Sequence, residues 1–478
     1  MSISAKNSII YFLQSLASPL LALISLPIFT RILLPIDFGA LALCQVYSVF
    51  IIGISNFGLS LGYERDFFEF KDQKKQIVLM YSIILFITLT SLIFAVLSYL
   101  YIEKIIYILN ISIQSSKELL LVCFLCAFLI NIKSYFMLFF KNTESAREYS
   151  LFAVLEVFMT FIFSLILILI FKTGILGIVL GQVFSITILL FFLVIKFFKI
   201  KSFEIDFNSL KKSIILSVPL TPRIFFGIIG SQFDKFIIGL AGSLGGLGVY
   251  SIGQRISNIG FVLSSALQNV WGPVVYKEMF KKNHTSGVII GNYLSPFYFF
   301  TVLIFLSISM FSEELIYILT TPEFSDASYI VSITTILYCG YFFNKQNQLI
   351  FNKKTALISL LTFIGIGLNM IFNYVFVHKW GFIGVAWGTT LSGLISAYIF
   401  FYFSQKSFKI VWKKNTGLLF YYLIFSSILM IFLNYIDTVY VFRLILKSFL
   451  IILFILMGLK FQFIKIEVIK NLVRKFYN

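Results

Sequence analysis

The chain has 478 residues, of which 59% are hydrophobic and only 12% are charged, and its mean hydropathy is +0.98. Soluble proteins carry about 25% charged residues, so this composition excludes a soluble enzyme and is typical of a protein that lies largely in a bilayer. The net charge of +18 would also suit a nucleic-acid-binding protein, but the basic residues are placed as membrane orientation requires.

Apolar stretches long enough to cross a bilayer recur along the whole sequence. A spanning helix needs about 20 apolar residues, and the sequence predicts an all-α integral membrane protein with about fourteen transmembrane helices. The predicted spans are 9–30, 38–62, 76–100, 118–140, 150–171, 174–195, 213–240, 246–275, 287–311, 328–350, 355–377, 381–404, 417–436 and 441–459. The first is longer than the apolar part of a signal peptide and lacks an A-x-A-like site after it, so we interpret it as a span.

The basic residues are concentrated in every second connection and in the C-terminal tail. These connections contain the Lys-rich stretches 71–75, 196–212, 277–282 and 406–414, whereas the stretch 313–326 between two spans has acidic residues and no Lys or Arg. Cytoplasmic loops of membrane proteins are enriched in Lys and Arg. The pattern therefore predicts cytoplasmic N- and C-termini, which requires an even number of spans. It attributes the excess positive charge to membrane topology and to contact with anionic lipids, so we expect no nucleic-acid partner.

The connections offer no sign of catalysis. All are shorter than about 20 residues, which leaves no room for a soluble catalytic or nucleotide-binding domain. Cys44, Cys123, Cys126 and Cys339 all fall inside apolar spans, where we expect them to pack as small hydrophobes. His284 and His378 lie in opposite loops without a nucleophile beside them. We therefore expect no catalytic residues, no metal, no cofactor and no enzymatic activity.

A glycine pattern occurs twice. KTGILGIVLG at 172–181 and KWGFIGVAWG at 379–388 lie 207 residues apart, and each opens a span after a short loop. A second match, FGAL at 38–41 and LGVY at 247–250, has nearly the same offset. Six spans separate the copies, so both have the same orientation and indicate a parallel repeat. Glycines four apart would let neighbouring helices approach closely. We predict a six-helix lobe at 1–205, a second at 206–405, and two additional helices with a basic tail at 406–478.

Four stretches carry a family resemblance. LPIFTRILLPIDFGALAL at 26–43, the stretch 217–257, NVWGPVVY at 269–276 and the stretch 368–392 resemble, in this order, motifs of polysaccharide flippases of the Wzx type. Together they cover about half the chain. The resemblance implies the fold shared by MATE exporters and the lipid II flippase, with two parallel six-helix lobes and two added helices. Lys235 departs from the family, which often has Arg at that place.

The resemblance also implies a function. A protein of this kind would translocate undecaprenyl-diphosphate-linked oligosaccharide repeat units from the cytoplasmic to the periplasmic leaflet of the bacterial inner membrane. It would do so by alternating access, during synthesis of a cell-surface polysaccharide such as O-antigen. The implied partners are the lipid-linked oligosaccharide, membrane lipids, a polysaccharide polymerase and a chain-length regulator.

Charged residues inside spans are costly and are therefore candidates for function. The candidate substrate-binding residues are Arg31, Lys133, Arg223, Asp234, Lys235, Arg255 and Lys345, and Glu156 stands alone in the fifth span. Because most are basic, they suit a cavity that binds a diphosphate. We favour Arg223 and Arg255. Arg31 could instead be a rim charge, Lys133 and Lys345 could extend to the cytoplasmic surface, and Lys235 could form a structural pair with Asp234.

Two other functions remain open at this point. A cation-coupled MATE-type multidrug exporter would share the fold, but it should have more acidic residues in its spans than Glu156 and Asp234. A membrane polysaccharide polymerase or ligase would act on the same glycan, but we would expect it to have a long outer loop with catalytic residues.

Overall fold

In the computed structural model, all regular secondary structure of the described residues is helical. The structure describes residues 20–281, 283–343, 347–436 and 439–463, with only the main chain described at 220, 223, 269, 270 and 435. These residues form two compact units that are divided in the sequence between Ser251 and Ile252. The predicted lobe boundaries after residues 205 and 405 stay predictions.

The first unit contains ten helices and the start of an eleventh. They are α1 (Leu20–Phe29), α2 (Pro35–Ser55), α3 (Leu59–Phe67), α4 (Gln73–Leu100), α5 (Ile102–Leu109), α6 (Ser116–Asn142), α7 (Ala146–Leu169), α8 (Leu176–Ile200), α9 (Phe207–Ser217), α10 (Thr221–Leu240) and α11 (Leu244–Phe280). Its interior is rich in aromatic side chains. Phe197 of α8 lies edge-on to Phe136 and Phe139 of α6, with ring centroids 5.1 and 4.9 Å apart.

The second unit contains the rest of α11 and seven further helices. These are α12 (Ser286–Met310), α13 (Ser312–Leu319), α14 (Ala327–Gly340), α15 (Asn347–Phe351), α16 (Thr355–Ser407), α17 (Thr416–Tyr435) and α18 (Tyr440–Lys460). The core of this unit forms where α17 and α18 pack on α12. Phe299 of α12 stacks on Phe454 of α18 with ring centroids 4.9 Å apart, and Leu419 and Leu423 of α17 are fully buried in the same cluster.

The helices agree with the predicted membrane architecture. Among the described residues, nine helices are long and apolar enough to cross a membrane, and every predicted span overlaps a helix. One of the nine, α16, has 53 residues and is interrupted by non-helical dihedral angles at Trp380 and Gly381, where the sequence predicts the boundary between two spans. The all-helical membrane class is confirmed, and the exact number of spans stays a prediction.

Two predicted spans are interrupted in the structure. The span predicted at 38–62 is too long, because α2 ends at Ser55 and the positive φ angles of Phe57 (47°) and Gly58 (71°) turn the chain into α3. The span predicted at 213–240 is divided by a 3-10 turn, Val218–Leu220, that contains Pro219. Proline cannot continue the hydrogen-bond ladder of a helix, so this break follows from the sequence.

The short helix α9 shows how a local signal fixes a helix start. Asp206 precedes α9, and its carboxylate accepts hydrogen bonds from the amides of Asn208 and Ser209 and from the Ser209 hydroxyl, the last at 2.6 Å. These bonds satisfy amides that the first turn of a helix leaves free. The hydrogen bond from the Ser209 hydroxyl lowers the pKa of Asp206 below that of an ordinary aspartate.

The duplicated glycine motif forms the same structure twice. Its first glycine, Gly174 in one copy and Gly381 in the other, has a φ of 59° and 58°, a conformation that side chains rarely tolerate. A Cβ on Gly181 would lie 2.5 Å from the amide nitrogen of Ser164 on α7, and a Cβ on Gly388 would lie 2.6 Å from Oδ1 of Asn373. The predicted role of the motif, close helix packing after a tight turn, is therefore confirmed.

The second sequence match marks a reciprocal contact within the first unit. A Cβ on Gly39 of α2 would lie 1.9 Å from the carbonyl oxygen of Leu244 of α11, and a Cβ on Gly248 would lie 1.9 Å from the carbonyl oxygen of Pro35. Each glycine therefore packs against the main chain four residues before the other glycine. The starts of α2 and α11 touch through backbone atoms on both sides.

Candidate functional site

Arg31 is an accessible cation in the first unit. The chain turns after α1, where the amides of Ile32 and Leu33 donate to the carbonyl oxygen of Phe29 at 3.2 and 2.8 Å. The side chain of Arg31 is exposed in this turn. Within the described part of the chain it has no ion pair or hydrogen bond, so its guanidinium remains available to an anion.

Arg255 has the same character in the second unit. It lies on α11, eleven residues after the helix begins at Leu244, which corresponds to a depth of about 17 Å along the axis. Its side chain is exposed, whereas the next residue, Ile256, is buried. None of the residues that the structure describes forms an ion pair or hydrogen bond with it. A guanidinium offers five N–H donors in a planar fork that matches phosphate oxygens.

Two other sequence candidates cannot be placed as side chains. Arg223 lies in the first turn of α10, next to Pro222, and the structure describes only its main chain. Lys345 lies outside the described residues altogether. Their roles in substrate binding stay predictions.

Lys133 and Glu156 form an ion pair that joins two predicted spans. The Nζ atom of Lys133 on α6 contacts both carboxylate oxygens of Glu156 on α7, and the two side chains are only 14% and 15% exposed. Ser185 of α8 donates to the backbone oxygen of Glu156 at 2.9 Å. Glu156 stands alone on its own span, but its partner comes from the preceding one. The charge of Lys133 is therefore neutralised within the protein.

Asp234 and Lys235 have separate partners. Asp234 is buried, and its carboxylate accepts a hydrogen bond of 2.7 Å from the hydroxyl of Tyr250, which connects α10 to α11. The Nζ atom of Lys235 lies 3.2 Å from Oε1 of Gln232 one turn earlier. Lys235 therefore contacts a neutral amide, and the expected side-chain pair between Asp234 and Lys235 does not form between these two described residues.

A cluster of four charges in the second unit was not predicted from the sequence. We call Glu313, Glu314, Arg443 and Lys447 the α13–α18 charge cluster. Lys447 of α18 is 1% exposed and lies 2.7 Å from Glu314 and 3.1 Å from Glu313 of α13. Arg443, one turn earlier, lies 3.1 Å from Glu313. The cluster has two positive and two negative charges, so it joins α13 to α18 without a net charge.

The sequence contained a signal for this cluster. Arg443 and Lys447 are four residues apart inside the last predicted span, which places them on one face of a helix. Their carboxylate partners lie more than 120 residues earlier, in the acidic stretch 313–326 that the charge pattern places between two predicted spans. A pair of charges on one face of a membrane helix requires partners, and Glu313 and Glu314 were candidates.

The chain matches a known family over more than half its length. Residues 4–279 match the family described as polysaccharide biosynthesis protein. A curated relative, the probable low-salt glycan biosynthesis flippase Agl15 of Haloferax volcanii, is 27% identical over 191 residues. This alignment spans 39% of the present chain and 39% of that flippase.

Two solved structures have a similar fold. The lipid II flippase MurJ in an inward closed conformation has a TM-score of 0.70 over 94% of this chain and 98% of its own, at 17% identity. An inward-facing multidrug resistance MATE family transporter of the MOP superfamily has a TM-score of 0.63 over 85% and 98%, at 15% identity. The relatives are flippases and transporters, not enzymes. The chain is therefore a multi-pass membrane protein of MurJ-like and MATE-like fold that belongs to the polysaccharide biosynthesis protein family.

Proposed function

We propose that the protein is a flippase that moves undecaprenyl-diphosphate-linked oligosaccharide repeat units from the cytoplasmic to the periplasmic leaflet of the bacterial inner membrane. The family and the fold support the translocation of lipid-linked glycans in general. Beyond this general activity, we propose that the lipid carrier is undecaprenyl diphosphate and that movement is outward. We also propose that lobes at 1–205 and 206–405 give alternating access. A polysaccharide polymerase and a chain-length regulator would act on the exported unit.

The accessible arginines of the described residues favour an anionic substrate. Among the cations described above, three are neutralised by carboxylates, Lys235 contacts the amide oxygen of Gln232, and two arginines stay accessible. Lys133, Arg443 and Lys447 are paired with carboxylates, whereas Arg31 and Arg255 are exposed and lack a partner within the described residues. An accessible guanidinium in a membrane protein is costly unless an anion or water meets it. A diphosphate is the anion that a lipid-linked sugar carries.

The predicted topology places the arginines at successive depths along the proposed route. Arg223 lies at the cytoplasmic start of α10, Arg255 lies within α11, and Arg31 lies at the periplasmic end of the first span. Each can hold phosphate oxygens by charge-assisted hydrogen bonds. The outward movement of a negative head group is favoured by an inside-negative potential, by about 2.3 kcal/mol per charge per 100 mV. No covalent step is needed.

The described acidic residues weigh against a cation-coupled drug exporter, although the MATE fold is similar. Such an exporter needs membrane carboxylates that can exchange a cation or a proton. Glu156 is held by Lys133, and Asp234 is held by Tyr250. Neither carboxylate is left free to bind a cationic drug without breaking an existing contact.

The test of the function is the fate of the lipid-linked repeat unit in cells that lack the protein. We expect surface glycan to disappear while complete repeat units on their lipid carrier accumulate at the cytoplasmic side. Accumulation of an incomplete repeat unit would indicate a missing enzymatic step and would contradict a flippase. A purified protein that transfers fluorescent lipid-linked oligosaccharide across proteoliposomes would complete the test.

The arginines test the mechanism separately. Arg223→Ala and Arg255→Ala should leave folded protein in the membrane and strongly reduce export. Arg→Lys at either position should retain intermediate activity, because it keeps the charge and loses the two-pronged hydrogen bond, and Arg→Glu should be inactive. Wild-type export by well-expressed alanine variants would refute the role of these cations while leaving the flippase assignment intact.

Reporter fusions test the orientation. Fusions after Leu240 and Ser312 should report the periplasm, and fusions after Lys201 and Lys282 should report the cytoplasm. The inverse pattern would refute the topology.

A further inference from the structure

A short helix that follows a long one after a single non-helical residue occurs twice, once in each unit. Residues 101–109, YIEKIIYIL, and 311–319, FSEELIYIL, lie 210 residues apart and are identical at five of nine positions. Each stretch begins with one aromatic residue between two helices. Tyr101 joins α4 to α5 with φ −106° and ψ 18°, and Phe311 joins α12 to α13 with φ −95° and ψ 20°. We call these two structures the outer elbows, since the predicted topology places both on the periplasmic side.

The elbows also expose the same side chain. Tyr107 in α5 and Tyr317 in α13 are each 85% exposed. The isoleucines that follow them, Ile108 and Ile318, are exposed as well. Ile108 lines a cavity with Tyr47 and Phe233, and Tyr317 and Ile318 line another cavity beside Tyr440. The exposed Tyr107 lines neither cavity, so it requires an environment that accepts both an apolar body and a polar tip.

The long helices before the elbows differ in what covers them. With the same offset of 210 residues, Leu89 and Val96 of α4 correspond to Phe299 and Leu306 of α12. The first two are 54% and 59% exposed, and the last two are fully buried. On α12, this face is covered by α17 and α18. The contact includes a hydrogen bond of 2.8 Å from the hydroxyl of Ser309 to the hydroxyl of Ser427.

The exposed residues of α4 indicate whether protein or lipid contacts this face of the helix. Protein-covered faces of membrane helices use small and polar residues that pack closely and form hydrogen bonds. The exposed face of α4 instead consists of large aliphatic side chains: Leu89, Leu92, Ile93, Val96, Leu97 and Leu100. This face could form no hydrogen bond with a partner helix through its side chains, but it matches the chemistry of acyl chains.

The polar residues begin where the aliphatic face ends. Tyr99 and Tyr101 are exposed at the end of α4, and tyrosine is enriched at membrane–water interfaces. Glu103 of α5 pairs with Lys117 at 2.8 Å. Lys104, next to Glu103, is exposed and has no ion pair or hydrogen bond within the described residues. A free ammonium at this level is complementary in charge to a lipid phosphate.

We propose that the α4–α5 elbow is a phospholipid-binding surface of the outer leaflet. The aliphatic face of α4 contacts acyl chains, and α5 lies in the plane of the head groups. Tyr107 places its ring at the acyl boundary and its hydroxyl among the head groups, while Lys104 contacts lipid phosphate. On the α12–α13 elbow, α17 and α18 take the place that lipid takes on α4.

Spin-label depth in liposomes tests the proposal. The four native cysteines are buried and free, so a nitroxide will label a new surface cysteine selectively. The full chain would be reconstituted in phosphatidylethanolamine and phosphatidylglycerol. Leu92→Cys should be accessible to oxygen and protected from a water-soluble nickel chelate, and Tyr107→Cys and Tyr317→Cys should both report the head-group level. Val302→Cys, the equivalent of Leu92 on the covered helix, is fully buried and should resist labelling, as the native cysteines do.

Two outcomes would overturn the proposal. One is a nickel accessibility at Tyr107→Cys equal to that of Asn283→Cys, an exposed position in a predicted cytoplasmic connection, because α5 would then extend into water. The other is a protein adduct from a photo-crosslinking residue at Leu92 in cells, because a partner protein would then cover α4. Leu92, Tyr107 and Tyr317 are exposed, so their substitutions should not impair folding, and neither readout depends on the transported substrate.

Discussion

Replacing Lys447 by methionine should destabilise the attachment of α18 to the second unit. Lys447 is 1% exposed, and its Nζ atom contacts both carboxylate oxygens of Glu314 at 2.7 and 2.9 Å. Removing one partner of a buried ion pair costs about 3–5 kcal/mol, because the other charge stays buried without compensation. Glu314 is 16% exposed and Glu313 keeps Arg443 at 3.1 Å. We therefore expect the lower end, about 3 kcal/mol, or on the order of a hundredfold in the folding equilibrium.

The assay is the fraction of purified protein that stays monodisperse after heating in detergent, with equilibrium unfolding in a denaturant to supply the free energy. Lys447→Met combined with Glu314→Gln should recover at least half of the lost stability, since no unpaired charge remains. Lys117→Met, which breaks the exposed pair with Glu103, is the matched control and should change nothing measurable. The reasoning fails if Lys447→Met is as stable as the wild type, or if the double variant is no more stable than the single one.

Three further changes probe other contacts. Gly39→Ala should lower the melting temperature, because its Cβ would lie 1.9 Å from a carbonyl oxygen, whereas Gly245→Ala, with open space around it, should be neutral or slightly stabilising. Lys133→Gln with Glu156→Gln should fold and export if the pair is structural; a folded double variant without export would instead indicate that the pair contacts substrate. Asp206→Ala should cost about 1 kcal/mol at neutral pH. Since folding lowers the pKa of Asp206, its stabilisation is complete above the ordinary value of 3.8 and is lost as the pH falls through the folded pKa, so denaturant curves of wild type and variant should converge in acid.

The sequence predicted those features of the fold that depend on local patterns. The apolar runs predicted the helices, because the bilayer admits few other structures. The duplicated glycine motif predicted close helix packing at two equivalent places, where a Cβ on Gly181 or Gly388 would overlap a neighbour. Pro219 accounts for the break before α10, although the apolar run 213–240 was predicted as one span. In each of these cases the cause and its effect lie within a few residues of each other.

The charge pairings depend on distant residues and were harder to predict. Lys133 and Glu156 lie on different helices, and Lys447 lies more than 130 residues from Glu314. Hydropathy shows that such charges need partners without showing which partners they have. The repeat of the elbow 101–109 at 311–319 was not predicted from the sequence for another reason. The equivalent stretch 311–319 has Glu314 where this one has Lys104, so the two differ in charge. Their similarity becomes clear only from the shared backbone angles and from the equal exposure of Tyr107 and Tyr317.

The reciprocal contact of Gly39 and Gly248 has a consequence for how readily it can form and separate. Ordering a long side chain in a contact costs up to about 2 kcal/mol of conformational entropy. At this contact the opposing atoms are glycine Cα groups and the carbonyl oxygens of Pro35 and Leu244, all of them main-chain atoms at the starts of two helices. The two glycines therefore lose no rotamer freedom when α2 and α11 meet, and none is regained when they part.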